Sequence, residues 1–430
     1  MVRKAVLVNL TLAPAAQTPR LAGLPVFLRA VLSAQRAGVE ELLIAGGDDP
    51  APLLRDKRVH LAWKWIPSAG SEIEALRAAR THLPNDFIIL FADSVFDAAA
   101  LKALASAPLG ECVLRVARPD DTPEELEPAG ASLYYGNAAV FAALDAVPNA
   151  RRLAALYRHL RGEHRAESVA LTARLWPRTS DRALLRSIHR ELTHFNLKPS
   201  DGIFARFNKL VVAERLIRLF LKTPATPNFI TGLGFAFAVC SAVAFAQGSY
   251  WWALGGALLA YFSGIMDHVD GMVARLKFQE SHFGVYLESA ADIGSYLCIF
   301  SGLAIGLYRE SGSSHYLTIG GLFVFGTVLS FITLARQRRL ASGDNPTDYP
   351  NRIHLKLEQH SRNFFHWFAR KFYFLTRRAF LPYAILAFCL LDLRELLLAF
   401  VTLGANLVWI LTLYNNRLFR GASRASAEAD

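Results

Sequence analysis

From about residue 227 onward the chain is dominated by long apolar runs, and these restrict its fold more than any other feature. Six such segments lie near 229–246, 250–266, 285–307, 316–335, 379–392 and 395–414. Most approach the roughly 20 residues that a helix needs to cross a hydrocarbon core. The fifth is short and ends at Asp392. The expectation is an all-α domain of six transmembrane helices over 227–420. Gln247–Ser249, Arg309–His315 and Asp392–Arg394 hold almost no Lys or Arg, whereas residues 336–378 carry ten and Lys198–Lys222 six. Basic loops stay on the cytoplasmic side, so both termini and the connection after the second span are expected there. No signal peptide is read at the start: the apolar run in Met1–Asn9 is too short.

Four acids stand where charge is costly. Asp267 and Asp270 are three apart at the end of the second span, and Glu288 and Asp292 are four apart on the third. Either spacing puts both carboxylates on one helix face. A carboxylate at membrane depth costs roughly 2.5–3.5 kcal/mol and needs a partner or water. Four together repel one another unless a cation joins them. An all-oxygen donor set suits Mg2+ or Mn2+, and two ions can share bridging carboxylates. Gly271, Ala274 and Gly284 are small and leave room for a backbone or a ligand.

The pattern Asp267-x2-Asp270-Gly271-x2-Ala274-Arg275-x8-Gly284-x3-Glu288-x3-Asp292 resembles the signature of the CDP-alcohol phosphotransferases, six-helix membrane enzymes of phospholipid synthesis. Thr226–Thr231, "TPNFIT", resembles the beginning of that family's first span. The match departs at Glu288, where the family has Asp. The resemblance implies a metal-dependent transfer of a phospho-alcohol from a CDP-alcohol to an acceptor hydroxyl, with release of CMP. It implies metal ions on Asp267, Asp270, Glu288 and Asp292, with Asp292 as general base. It further implies that Pro227, Asn228, Thr231, Asp267, Gly271, Ala274, Arg275 and Gly284 bind the CDP-alcohol. The resemblance leaves a polyol phosphate or a lipid open as the acceptor, and a homodimer is left open as well.

Residues 1–195 read differently. Lys4–Leu10 is a buried strand, and Leu21–Gly47 is a helix, a turn and a second strand. Arg58–Trp65, Asp86–Phe91 and Cys112–Ala117 supply further strands. Strands alternating with helical patterns predict a mostly parallel α/β sheet. Asp93 follows the strand Asp86–Phe91 at the edge where ligands of such sheets bind. The layout resembles nucleotidyltransferases that make activated sugars and alcohols, a Rossmann-like α/β fold. Its fusion to the membrane part resembles bifunctional enzymes that make CDP-inositol and then transfer inositol phosphate. Two parts of a working site are absent. The loop "TLAPAAQTPRLAG" has no glycine before Gly23, and Arg178 stands where a second metal-binding Asp is expected. The expectation is a degenerate domain kept as a scaffold or regulatory module. The alternative is a divergent loop with Arg20 as its basic group.

Residues 196–226 link the two parts. Lys198–Lys222 sets apolar residues at helical spacing among basic ones, which predicts an amphipathic helix on the membrane surface. Arg362–Arg378 is a second candidate. The net charge of +11 suits anionic lipid or phosphorylated substrates, and no module for nucleic acid is read. Four scattered cysteines form no CxxC pair. Two other functions fit the same acids: a divalent-cation carrier, and an inert membrane anchor for the N-terminal domain.

Overall fold

The computed structural model describes residues 3–10, 19–67, 70–120, 132–178, 181–194, 206–342 and 381–427. The chain divides into two units, Met1–His194 with Leu276–Phe278, and Phe195–Arg275 with Gln279–Asp430.

The first unit is built on strands β1 (Lys4–Val8), β4 (Glu41–Ala45), β5 (Ala62–Ile66), β6 (Asp86–Phe91), β7 (Leu114–Pro119), β8 (Leu133–Asn137) and β9 (Ala166–Leu171). Their order is β5-β4-β1-β6-β8-β7-β9. Two further strands, β2 (Arg20–Leu21) and β3 (Leu24–Pro25), make a small antiparallel ribbon. The helices are α1 (Val26–Ala37), α2 (Ala51–Leu54), α3 (Glu72–Ala79), α4 (Ala98–Leu104), α5 (Val140–Ala146), α6 (Leu153–Gly162) and α7 (Arg182–Thr193). β8 runs antiparallel to both its neighbours, and the other pairings are parallel.

Successive strand side chains point to opposite faces. Leu7, Ile44, Ile88 and Leu90 therefore pack with Phe27 and Val31 of α1 in one core. Val6, Leu43, Ile89 and Phe91 pack with Ile73, Leu76 and Tyr157 in the other. Burial on both faces explains why these strands read as unbroken apolar runs. The expected strand Arg58–Trp65 begins four residues later, at Ala62. β8 and β9 fall outside the expected set.

In the second unit a π-helical stretch, Asn208–Ala213, leads into α8 (Glu214–Leu221). Ile217 and Leu221 are buried there along with Glu214, and Arg215 and Leu219 are exposed. Residues 195–205 and the second amphipathic candidate, 362–378, lie outside the described residues. Then come α9 (Pro227–Phe245), α10 (Tyr250–Lys277), α11 (His282–Ser311), α12 (His315–Ser342), α13 (Leu381–Leu390) and α14 (Arg394–Ala427). Four of the six, α9, α11, α12 and α14, are long and apolar enough to cross a membrane. α10 is long, but its last third carries the acids and basic residues. α13 has ten described residues, too few to span.

Thr226 starts α9 by accepting a hydrogen bond from the Phe229 N–H, with Pro227 at the first helical position. α9 and α11 then approach to backbone contact. A Cβ at Gly302 would lie 2.3 Å from the Ala242 carbonyl oxygen, and one at Gly306 would lie 2.0 Å from that of Phe245. Glycines four apart on one face allow this approach. At the far ends of these helices Arg394 is buried and ties two connections to the last turn of α11. It donates to Asp392 (2.8 Å), to the Gly248 carbonyl (2.9 Å) and to Glu310 (3.0 Å).

Candidate active site

Between α9, α10, α11 and α13 lies a cavity that is partly open to the outside. Asp267, Asp270 and Asp292 all line it, as does Thr231. α10 delivers the first pair of acids one helical turn apart, and α11 delivers Asp292 from across the cavity. Glu288 stands one turn before Asp292 but is not part of the lining. Its charge nevertheless acts on Asp270, as does that of Asp267.

Asp270 is the most enclosed of the four, 3% exposed. The Thr231 hydroxyl donates to its Oδ2 (2.5 Å), and the Gly271 N–H donates to its Oδ1 (2.6 Å). Both donors are neutral. Asp267 Oδ2 lies 3.7 Å from Nδ1 of His268. A carboxylate withdrawn from water among like charges, with neutral hydrogen-bond partners, is costly unless a cation joins it. The donor set, oxygen throughout, thus fits a hard divalent ion. In the conformation seen, no three His, Cys, Asp or Glu side chains among the described residues are grouped tightly enough to hold one.

The expected nucleotide-binding residues are spread more widely. Pro227 is buried in the first turn of α9. Asn228 is exposed, and its Oδ1 lies 3.3 Å from where a Cβ on Gly284 would be, so these two residues adjoin. A Cβ on Gly271 would touch only the Arg275 guanidinium, at 3.7 Å. Ala274 is half-buried and Arg275 is exposed. None of Pro227, Asn228, Gly271, Ala274, Arg275 and Gly284 lines the cavity. Several lining residues escaped the sequence reading: Ser263, His268, Ser295 and Tyr296. A signal existed for the last two, since they continue the Asp292 stripe at three and four residues.

In the first unit, Asp93 follows β6 as expected, but its basic partner is Arg178. Arg178 Nε donates to Asp93 Oδ1 (2.9 Å) and Nη1 donates to Glu72 Oε1 (2.6 Å). The guanidinium lies over the Phe91 ring, 3.6 Å from its centre. Burial works against the Arg178 charge, but Asp93 and Glu72 outweigh it and its pKa ends above the ordinary value. Glu72 also accepts the Leu153 N–H (2.8 Å). The backbone before Arg178 is pinned by a bridge between Phe96 and Leu175 and by Trp176 N–H to the Val95 carbonyl (3.2 Å). Arg20 is exposed on the small ribbon.

Comparison with known proteins agrees with the acid pattern. Residues 224–357 match the CDP-alcohol phosphatidyltransferase family model. The match lies in the C-terminal part of the chain, and members of that family are generally dependent on a divalent metal. The four acids all fall inside the matched span. A bifunctional IPC transferase and DIPP synthase of Rubrobacter xylanophilus is 35% identical over 123 residues, 28% of this chain and 28% of that protein. An archaetidylinositol phosphate synthase of Methanothermobacter thermautotrophicus is 37% identical over 79 residues, 18% of this chain and 39% of that protein. The chain thus spans well under half the length of these curated relatives. Solved structures align with the N-terminal region. The inositol-1-phosphate CTP transferase from T. maritima does so at 14% identity and a TM-score of 0.33, over 44% of this chain and 97% of that one. A 4-diphosphocytidyl-2C-methyl-D-erythritol synthase from Anaerococcus prevotii does so at 7% and 0.35, over 44% and 98%. Scores this low carry no argument, and the character of the first unit rests on its own sheet order.

Proposed function

We propose that the chain is an integral membrane enzyme that transfers a substituted phosphate from a CDP-alcohol to an acceptor hydroxyl and releases CMP. The observation that carries this reading is the convergence of Asp267, Asp270 and Asp292 on one cavity, inside the span that matches the family. Asp267, Asp270 and Glu288 would hold Mg2+ or Mn2+, with Asp292 within the same group. The bound ions would neutralise the pyrophosphate and stabilise the leaving CMP.

The side chains themselves have three tasks. Asp292 takes the proton of the acceptor hydroxyl as its oxygen bonds to the phosphorus that bears the alcohol. The bond from that phosphorus to the CMP oxygen breaks in the same displacement. Pro227, Asn228, Gly271, Ala274, Arg275 and Gly284, at the neighbouring helix ends, receive the nucleotide. Arg275 is exposed and long enough to meet a phosphate.

Among the relatives, one is named for making archaetidylinositol phosphate and the other for IPC transfer and DIPP synthesis. Their names support a polyol phosphate on one side of the reaction and a lipid or second polyol on the other. We read the six helices together as the membrane domain, with α9, α11, α12 and α14 as its long spans, and the charge asymmetry of the connections supports cytoplasmic termini and an active site facing the cytoplasm.

The first unit, 1–195, we read as a nucleotidyltransferase-like domain that no longer transfers nucleotides. The Arg178 pair with Asp93 and Glu72 supports this, because a guanidinium already neutralises the acid that a metal–triphosphate complex needs. Residues 196–226 join it to the membrane domain.

The test uses membranes that carry the protein. CMP should appear from CDP-diacylglycerol or CDP-inositol when an acceptor alcohol and Mg2+ or Mn2+ are supplied. Asp292→Asn should abolish it in a protein that still elutes as a single folded species. Continued turnover in that variant would refute the base assignment.

A further inference from the structure

We propose that Thr231 is a positioning residue that fixes Asp270 for cation binding. The inference deepens the reading above and rests on it.

The Thr231 hydroxyl has one proton and two acceptors in reach. Asp270 Oδ2 lies at 2.5 Å and the Pro227 carbonyl oxygen at 3.2 Å. A hydroxyl bonded to a carboxylate at this distance is charge-assisted and about twice as strong as a neutral bond. The proton therefore goes to Asp270. With Oδ1 taking the Gly271 N–H, each oxygen of the carboxylate has one fixed donor. The group is locked in rotation, and each oxygen keeps lone-pair capacity for a cation.

Burial supports the assignment. Thr231 is 8% exposed and Asp270 is 3% exposed. The hydroxyl faces the neighbouring helix, and the carboxylate is where its donor capacity is spent. The contact depends on how closely α9 and α10 pack. Gly234, one turn beyond Thr231, meets α10 at Met266, one turn before Asp270. A Cβ on Gly234 would lie 2.9 Å from the Met266 Cβ and 3.5 Å from the Ser263 carbonyl oxygen. This close crossing brings a short side chain on α9 within reach of an acid on α10. Outer partners that orient a ligating carboxylate typically contribute about 10–100-fold to metal affinity.

The experiment titrates the full-length protein in detergent with Mn2+ in the absence of substrate, read by electron paramagnetic resonance. Native protein, Thr231→Val, Thr231→Ser and Asp270→Asn are compared, and CMP release is followed over a range of Mn2+. Valine keeps the shape of threonine and lacks the hydroxyl, and serine keeps the hydroxyl. Thr231→Val should weaken Mn2+ binding about 10–100-fold. CMP release lost at low Mn2+ should return as Mn2+ is raised. Thr231→Ser should stay within about threefold of the native affinity, because its hydroxyl can still reach Asp270.

Unaltered Mn2+ affinity in Thr231→Val together with a higher KM for the CDP-alcohol would overturn the proposal in favour of donor contact. Equal damage in Thr231→Ser would also overturn it, since the hydroxyl would not be what matters. If Thr231→Val fails to fold, Thr231→Ala, which also lacks the hydroxyl, takes its place in the same Mn2+ titration. If Asp270→Asn binds Mn2+ as well as native protein does, the metal reading itself falls. That outcome is distinct from failure of the Thr231 assignment alone.

Discussion

Arg178 neutralises two acids from different parts of the first unit. Its partner Glu72 is 9% exposed, and its own side chain is 20% exposed. Removing one member of a buried pair leaves the other charge uncompensated, at about 3–5 kcal/mol. Arg178→Ala is therefore expected to lower the unfolding free energy of the first unit by about 3 kcal/mol, read as an earlier urea midpoint of the full-length protein. An unchanged midpoint would contradict the ion-pair account. Glu288 poses the opposite question, since it is one methylene longer than the residue that the family pattern calls for. Metal shells tolerate little misplacement. Glu288→Gln should weaken Mn2+ binding by about tenfold or more, and binding equal to the native protein would remove Glu288 from the ligand set. The sequence marked Asp93, Arg178 and the four acids by position. It could not pair Arg178 with Glu72, 106 residues earlier, or Thr231 with Asp270, 39 residues on. Contacts made by folding at long range leave no local pattern.

At the scale of elements, legibility followed the continuity of the apolar run. β6 was read to the residue because its apolar run is continuous and both faces are covered. β8 and β9 were missed. β8 is short and contains Gly136, and the middle of β9 is only half-buried, so neither shows a clean period. The starts of the membrane helices were located closely, but α10 extends eleven residues past the expected 266 and α14 thirteen past the expected 414, because charged and polar residues continue the same helices. Packing of α9 on α11 depends on bare glycine faces. Gly306→Val would put a Cβ 2.0 Å from the Phe245 carbonyl oxygen. Overpacking typically costs about 1–3 kcal/mol, so a lower thermal midpoint in detergent is expected. Gly321→Ala meets nothing within 4 Å and should leave the midpoint unchanged. Equal midpoints for both variants would mean that the close α9–α11 approach is not what holds the helices.

Across the whole molecule, the proposed chemistry belongs to one unit and not to the other. The first unit keeps the α/β sheet and its two cores, while the ligand edge carries an internal cation. Full-length protein given CTP and a polyol phosphate is therefore expected to form no CDP-polyol, and Asp93→Asn should leave CMP release by the membrane domain unaltered. CDP-polyol formation, followed by chromatography, would restore a second activity to the first unit. The role of the acids gathered by α10 and α11 is tested most directly by one measurement. Purified protein is supplied with a CDP-alcohol, an acceptor alcohol and Mn2+, and CMP is measured before and after chelation with EDTA. The account predicts CMP release that stops on chelation, resumes when Mn2+ is restored, and is absent in Asp270→Asn. Release that persists without a divalent ion, or that survives loss of Asp270, would contradict it.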